Sequence, residues 1–164
     1  MRIKRSDVKI AGPEDAPSLN FVIRQCFGDV ARRFGLTPEN CPTHPSNSTE
    51  DKVKEDIAKG VQFFIKIDRG IPSGCVGLER ADEETFHIVR LGVLPGRRRR
   101  GFGEELLEKA VSEARNLGAK SISAAIIEQD AELENWYEKR GFVYSETRDF
   151  AHLPFRVAFL KLSV

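Results

Sequence analysis

The stretch RLGVLPGRRRRGFGEELLEKA, from Arg90 to Ala110, joins an apolar strand-like segment to a helix-like segment through a turn of arginines and glycines. The first N–H groups of a helix have no partner within the helix, and the aligned peptide dipoles make that end positive. Gly101 and Gly103 lack Cβ atoms, so an anion can approach the main chain closely. The stretch therefore predicts a strand, a phosphate-binding turn and a helix, in that order.

The arginine run itself, Arg97 to Arg100, also suits a solvated basic segment or a patch for nucleic acid. The whole chain has 164 residues, and its 26 Lys and Arg nearly balance 25 Asp and Glu, for a net charge of +1. A general nucleic-acid binder is usually more positive, so the basic function is local. The turn lacks the Gly-Lys-Ser/Thr of an ATP-type loop and the glycine spacing of a dinucleotide fold.

The rest of the chain alternates between predicted strands and helices in the order β-α-α-β-β-β-α-β-α-β-β. The segment TFHIVRLGV, residues 85–93, is apolar on both faces and predicts a central strand. An apolar stripe predicts a helix from about Gly103 to Leu117, and Gly118 is a natural stop. The length fits a single domain, 1–164. We expect a mixed sheet with helices on both sides.

The sequence carries no apolar run long enough to span a bilayer, and the charged start MRIKRSDVKI does not predict a signal peptide. Cys26, Cys41 and Cys75 are scattered and odd in number, as expected for reduced thiols in the cytoplasm. The pattern Cys41-x-x-His44 has no second pair at ligand spacing, so we expect no metal site.

Two motifs in the right order resemble one family. Arg98-x-x-Gly101-x-Gly103, between LGVLP and EELLEKA, resembles the pyrophosphate-binding motif of the GNAT superfamily of acetyl-CoA-dependent N-acetyltransferases. NWYEKRGF, residues 135–142, is similar to its second signature, an aromatic-Tyr-x-x-x-Gly-Phe run. The resemblance covers nearly the whole chain. It implies an α+β fold with a central mixed, mostly antiparallel sheet of about seven strands, about four helices, and a splay between the strands at about 85–93 and 121–127.

The resemblance also implies where acetyl-CoA, the cosubstrate, binds. The pantetheine arm pairs with the backbone of Leu91, Gly92 and Val93, and Gly92 accommodates a splay or bulge there. Main-chain N–H groups of the turn hold the pyrophosphate; the turn comprises Arg98, Arg99, Arg100, Gly101, Phe102 and Gly103. Arg99 stands where many members carry glycine, and its side chain is a candidate for the ribose 3′-phosphate. Many members have a cofactor-contacting Asn where this chain has Asp130, and Asn135 is a nearby alternative.

The implied reaction is acyl transfer, in which an amine attacks the thioester and an N–H near residues 91–93 stabilises the oxyanion. By resemblance Tyr137 is the general acid, since a phenol is protonated at neutral pH. Many members place a Glu where this chain has Val89, so the general base stays open between His87, Glu79 and a water-mediated route.

We therefore expect a cytoplasmic N-acetyltransferase that acts on a primary amine of a small molecule, peptide or protein by direct attack in a ternary complex. Nucleic-acid and membrane partners are not expected, and a homodimer is possible. The alternative is a non-catalytic acyl-CoA-binding sensor or a basic-patch nucleic-acid module.

Overall fold

The computed structural model describes residues 6–164. The strands in this range are β1 (Ser6–Ala11), β2 (Gln62–Asp68), β3 (Ile71–Arg80), β4 (Thr85–Val93), β5 (Ser121–Ile127), β6 (Val143–Asp149) and β7 (Arg156–Ser163). The α-helices are α1 (Ala16–Phe34), α2 (Glu50–Ala58), α3 (Phe102–Asn116) and α4 (Ala131–Glu138). This order of strands and helices confirms the one predicted from the sequence.

These strands form one sheet in the order β1-β2-β3-β4-β5-β7-β6. Neighbours pair antiparallel except β4 and β5, which are parallel and are connected through α3. A parallel pair requires a long crossover, and the helix supplies it. The mixed, mostly antiparallel α+β fold expected from the sequence is confirmed.

Two apolar cores cover opposite faces of the sheet. On one face α3 packs through Leu106 and Ala110 against residues such as Ile88 and Ile122. On the other face α1 packs through Leu19 and Ile23, near Phe63 of β2. Gly35, at φ 65°, follows α1 in the left-handed conformation that commonly ends a helix. The sheet therefore has helices packed on both faces.

The parallel pairing of β4 with β5 covers only the first part of each strand. It runs from Thr85 opposite Ser121 to Ile88 opposite Ala124, and the strands part beyond that point. The later residues of β5 remain paired with β7 on their other side. The expected splay is therefore confirmed, and it opens toward the arginine–glycine turn that follows β4.

A bulge in β4 lies at the same level as the splay. Gly77 of β3 pairs with Val89 and Cys75 pairs with Gly92, so β4 has one residue more than β3 in this interval. Arg90 has a φ of 50°, which is uncommon for a residue with a side chain. The sequence analysis placed a splay or bulge at Gly92; Gly92 lies in the parted segment of β4, and the register shift falls just before it, between Val89 and Gly92.

Gly92 is needed for a different reason, the close packing of α1 on β4. A Cβ atom at Gly92 would lie 2.8 Å from the Cβ of Cys26 in α1. This distance is too short for two carbon atoms, so only glycine fits without a shift of the helix. Arg90, the residue of β4 with the positive φ, has its side chain paired with Asp56 of α2.

Candidate active site

The turn after β4 presents main-chain N–H groups that the protein leaves free. The helix α3 begins after Gly101, and no side chain caps its first turn. Within residues 6–164, the first hydrogen bond to this turn runs from the N–H of Glu105 to the carbonyl of Gly101. The N–H groups of Phe102, Gly103 and Glu104 therefore have no acceptor among the described residues.

The backbone of this turn leaves room for a ligand. Arg99 has a φ of 66° and Gly101 a φ of 80°. A Cβ atom at Gly101 would have nothing within 4 Å. Successive N–H groups beside residues in the left-handed conformation form a concave site that suits anions. The turn therefore has the backbone features of an anion-binding site.

The four arginines of the turn differ in their contacts. Arg97 and Arg100 both donate to one carboxylate oxygen of Asp68, at the end of β2, the latter at 3.3 Å. Arg98 donates from Nε to the carbonyl of Val93 at 3.0 Å and from Nη1 to Asp29 of α1 at 2.9 Å. Because of the contact with Arg98, the pKa of Asp29 is lowered.

A cavity of about 500 Å³ lies between the splayed strands, on the face covered by α1 and α2. Its walls include Val89 and Arg90 of β4 together with residues of β5, among them the exposed Ala125. Phe27 of α1 and Phe155, just before β7, also line it. The cavity and the free N–H groups thus lie at the two ends of the parted segment of β4.

The carboxylates predicted for the site have different surroundings. Glu79 is exposed and lines the cavity, and no ion pair in the part of the chain that the structure describes engages it. Asp130 also lines the cavity, but it is buried, caps α4 through the N–H of Leu133 at 3.2 Å and pairs with Arg33 at 3.2 Å. Asn135 is exposed on α4.

His87 and Glu79 are opposite each other in the β3–β4 register. The imidazole Nδ1 of His87 is hydrogen-bonded to the hydroxyl of Ser123 on β5. His87 is half-buried and does not belong to the lining of the cavity. The structure thus brings Glu79 to the cavity and directs His87 to the neighbouring strand.

Tyr137 lies near the end of α4 and packs in the core on the α3 side. Its ring makes edge contacts with Trp136 and Phe142, both with ring centres 5.1 Å away. Burial raises the pKa of its phenol well above the usual value. No hydrogen bond within residues 6–164 engages the hydroxyl, so its proton is not committed to another side chain.

The sequence analysis missed a charged cluster beside the cavity. Asp56 of α2 pairs with Lys52 at 3.1 Å and with Arg90 of the β4 bulge. This pairing holds α2 against β4 and brings the side chain of Arg90 to the cavity wall. The sequence indicates only the pair of Lys52 and Asp56, which are four residues apart on one helix. It does not identify Arg90 as the second partner of Asp56.

The thiols are poor nucleophiles. Burial raises the pKa of Cys26 to about 12 and also raises the pKa of Cys75. A thiol reacts through its thiolate, which both sites disfavour.

Residues 6–164 contain no group of three or more His, Cys, Asp and Glu side chains arranged to hold a metal ion.

Residues 32–142 match the sequence model of the Acetyltransferase (GNAT) family. The chain belongs to this family. The match includes the arginine–glycine turn, the splayed strands and α4. Membership of the GNAT family places the protein among the acyltransferases. The segment that matches the family model therefore contains the slot between β4 and β5.

Solved structures of GNAT proteins share the fold over nearly the whole chain. The PaiA N-acetyltransferase of Thermoplasma acidophilum, in complex with coenzyme A, has a TM-score of 0.79 at 16% identity and covers 96% of this chain and 99% of its own. The ribosomal-protein-S18-alanine N-acetyltransferase of Escherichia coli has a TM-score of 0.76 at 14% identity, over 97% of this chain and 94% of its own. At these identities the likeness concerns the fold alone.

Among curated proteins, the amino-acid acetyltransferase of Pseudomonas aeruginosa strain LESB58 is 31% identical over 91 residues. The matched segment is 54% of this chain and 20% of that protein. The match thus spans only about a fifth of the length of that relative. Within residues 6–164, no helix is both long and apolar enough to cross a membrane.

Proposed function

We propose that the protein is an acetyl-CoA-dependent N-acetyltransferase that transfers an acetyl group to a primary amine by direct attack in a ternary complex. One observation carries this proposal: the parted end of β4 leads into the first turn of α3, where the main-chain N–H groups are uncapped. A diphosphate at the N–H groups and an extended amide-containing arm along the parted strand would use both features. Several related folds have coenzyme A or acetyl-CoA bound, which supports the choice of ligand.

Acetyl-CoA would supply the activated acyl group as a thioester. The backbone of Leu91, Gly92 and Val93 is the segment of β4 without β5 as a neighbour, so its outward groups are available to an extended ligand. An N–H group of this segment would donate to the developing oxyanion. Removal of one such donor commonly costs on the order of 3 kcal/mol of transition-state stabilisation.

The incoming amine must lose a proton, and Glu79 is the side chain best placed to receive it. It lies at the cavity and keeps its carboxylate free of ion pairs within the described residues. We propose that Glu79 accepts the proton directly or through water. His87 is the weaker candidate because its Nδ1 is bonded to Ser123.

The departing thiolate needs a proton, and we propose Tyr137 as its donor. The raised pKa keeps the phenol protonated at neutral and mildly alkaline pH. The free hydroxyl can donate without breaking a hydrogen bond to the protein. The buried thiols with raised pKa values support direct transfer over a route through an acyl-cysteine.

The acceptor belongs to the wider class of primary amines, and a small molecule is favoured by the size of the cavity, about 500 Å³. The name of the Pseudomonas relative makes amino acids the first acceptors to test. We also propose the cytoplasm as the location, where the free thiols of Cys26, Cys41 and Cys75 would stay reduced.

The decisive experiment combines binding and turnover with purified protein. Isothermal titration with acetyl-CoA should give saturable binding, and a panel of amines should reveal acceptors that release free thiol. Binding without thiol release for any amine would favour an acyl-CoA sensor. Absence of binding, with DNA affinity that falls steeply with salt, would favour the nucleic-acid module and contradict the proposal.

A further inference from the structure

The cavity beside the parted strands has charged side chains of both signs in its wall. Among the described residues, the charged ones that line it are Lys52, Asp56, Glu79, Arg90 and Asp130. Asp130 is buried, and its charge is offset by the ion pair with Arg33. No ion pair within residues 6–164 engages Glu79, so its carboxylate is available to a ligand. The other three residues form one cluster.

This cluster, made of Lys52, Asp56 and Arg90, has one more positive than negative charge. Arg90 donates from Nη1 to one carboxylate oxygen of Asp56, and the Nζ of Lys52 lies 3.1 Å from the other oxygen. The side chain of Asp56 is 9% exposed, whereas those of Arg90 and Lys52 are 19% and 47% exposed. A ligand in the cavity is therefore nearer to the exposed cations than to the covered carboxylate.

The guanidinium of Arg90 is held in place and still has donors to offer. A guanidinium carries five N–H donors in a planar fork that matches the two oxygens of a carboxylate. Among residues 6–164, its one hydrogen bond runs from Nη1 to Asp56. Arg90 also follows Val89 in the segment of β4 that has no pairing with β5. The side chain can thus bind an anion beside the parted strand.

Glu79 and Arg90 are spaced so that one small molecule can reach both. Glu79 is opposite His87 in the strand register, and Arg90 is three residues farther along β4. At the usual rise of a strand, that separates the two backbone positions by roughly 10 Å. Both side chains line the same cavity of about 500 Å³. A ligand between them would meet a carboxylate at one side and a cationic cluster at the other.

Most of the remaining cavity wall is apolar. Phe27 and Val30 contribute from α1, Leu133 from α4, and Phe155 from the segment before β7. Apolar walls with a few polar groups are typical of small-molecule sites, in which the polar groups fix the orientation of the ligand. The lining therefore suits a small molecule with an amine, an anionic group and an apolar portion.

We propose that the acceptor is an amino acid with an apolar side chain, and that Arg90 is the specificity residue that binds its carboxylate. Lys52 adds positive charge to this contact, and Asp56 holds the guanidinium. The inference rests on the proposed function. The neutral amine nitrogen bonds to the acetyl carbon as the thioester C–S bond breaks; Glu79 takes the proton from nitrogen, and the thiolate sulfur takes one from Tyr137.

The first test compares leucine with leucinamide and phenylalanine with phenylalaninamide in thiol-release kinetics at saturating acetyl-CoA. Each carboxamide keeps the amine and the side chain and lacks the negative charge. Arg90→Gln should lower kcat/KM for each amino acid about tenfold, the effect of one charge-assisted contact, and leave the carboxamides unchanged. The panel also includes aspartate, lysine and alkyl amines without a carboxylate, all of which should be poorer acceptors than leucine or phenylalanine.

Arg24→Gln is the matched control, because it makes the same substitution outside the cavity lining. Arg24 is exposed on α1 and donates to the carbonyl of Ser48 at 2.9 Å, so it too contacts the segment before α2. This variant should leave kcat/KM for leucine and leucinamide unchanged. A selective loss for leucine in Arg24→Gln would show that the effect does not require the cavity and would contradict the assignment of Arg90.

Two further variants change the charge of the cluster in opposite directions, and they keep the inference testable if circular dichroism shows that Arg90→Gln does not fold. Lys52→Gln removes the more exposed cation and should lower kcat/KM for leucine about threefold. Asp56→Asn removes the anion and should raise it. Leucinamide should respond to neither variant. Changes in the same direction, or equal changes for leucine and leucinamide, would contradict the charge assignment.

The remaining outcomes separate this inference from the proposed function. Equal losses for amino acid and carboxamide in Arg90→Gln, or no loss for either, would overturn the role of Arg90. Better turnover of aspartate, lysine or an alkyl amine by the wild type would overturn the acceptor class and leave the N-acetyltransferase activity intact. Absence of thiol release with every amine would overturn the proposed function and the inference together.

Discussion

Removing the hydroxyl group of Tyr137 tests the proposed mechanism at a single residue. Tyr137→Phe removes the proposed proton donor and keeps the ring contacts with Trp136 and Phe142. We expect kcat to fall by about 100-fold, a typical effect for a general acid, with CoA affinity unchanged. Thiol-release kinetics and titration with CoA measure the two quantities.

Tyr144 supplies the matched control for this prediction. It is 49% exposed on β6, and its hydroxyl is hydrogen-bonded to Thr147. Tyr144→Phe should leave kcat unchanged because this hydroxyl is on β6, the edge strand of the sheet, and is already engaged by Thr147. Equal kcat values for Tyr137→Phe and wild type would remove Tyr137 from the mechanism.

The choice of base is also a residue-scale question, since Glu79 and His87 are partners in the same strand register. Glu79→Gln should lower kcat by about 100-fold, because the amide cannot take the amine proton. His87→Gln should have a smaller effect, since His87 is bonded to Ser123. Thiol-release kinetics at saturating amine compare the two variants; a larger loss of kcat in His87→Gln than in Glu79→Gln would reverse the assignment.

At the scale of helices and strands, Gly92 controls how closely α1 packs on β4. Gly92→Ala places a Cβ atom 2.8 Å from Cys26 and should lower the free energy of unfolding by about 1–3 kcal/mol, the usual cost of overpacking. Gly96→Ala is the control, because a Cβ there meets nothing within 4 Å. Urea denaturation measures both; equal losses would show that the α1 contact does not explain Gly92.

The loop between α1 and α2 contains a buried histidine that should make stability depend on pH. Burial lowers the pKa of His44 below its usual 6.5, and its Nδ1 accepts from the Ser46 N–H at 3.2 Å. As pH falls below 6.5, the unfolded chain takes up a proton before the folded protein does. The free energy of unfolding should therefore decrease with falling pH until His44 is protonated in the folded state too.

His44→Asn separates this effect from the titration of other groups. Asparagine can still accept at the start of the short 3₁₀ helix from Pro45 to Asn47, so the cap is preserved. Unfolding measured at pH 7.5 and pH 5.5 should show a smaller loss of stability in the variant than in the wild type. The same loss in both proteins would assign the pH dependence to other residues.

The elements themselves could be predicted from the sequence because their signals are local. The apolar stripe of α3 and the order of the strands depend on residues a few positions apart. The partners of the arginines could not be predicted, since Asp68 is 29 residues from Arg97 and Asp29 is 69 residues from Arg98. The unusual φ of Arg90 could not be predicted either, because glycine is the usual signal for a positive φ and the partner of Arg90, Asp56, is distant in sequence.

At the scale of the whole molecule, the sheet consists of two parts joined by a short parallel contact. Strands β1 to β4 form one part and β5 to β7 the other, and only residues 85–88 pair with 121–124 between them. The apolar core around α3 packs across this junction and includes residues from both parts. A ligand in the slot would contact both parted strands. It would thus connect the two parts of the sheet where β4 and β5 do not pair.

Ligand binding should therefore stabilise the whole fold and protect the parted strands. A ligand at 100 times its Kd adds about 2.7 kcal/mol if it binds only the folded protein. For a domain of this size, that raises Tm by roughly 5–10 °C. Hydrogen exchange should slow most at residues 89–93 of β4. Ala125→Phe, on the exposed wall of the slot, should weaken binding, so that the same acetyl-CoA concentration gives a smaller shift in Tm and less protection. A full shift in that variant, or protection confined to residues distant from β4, would place the ligand outside the slot.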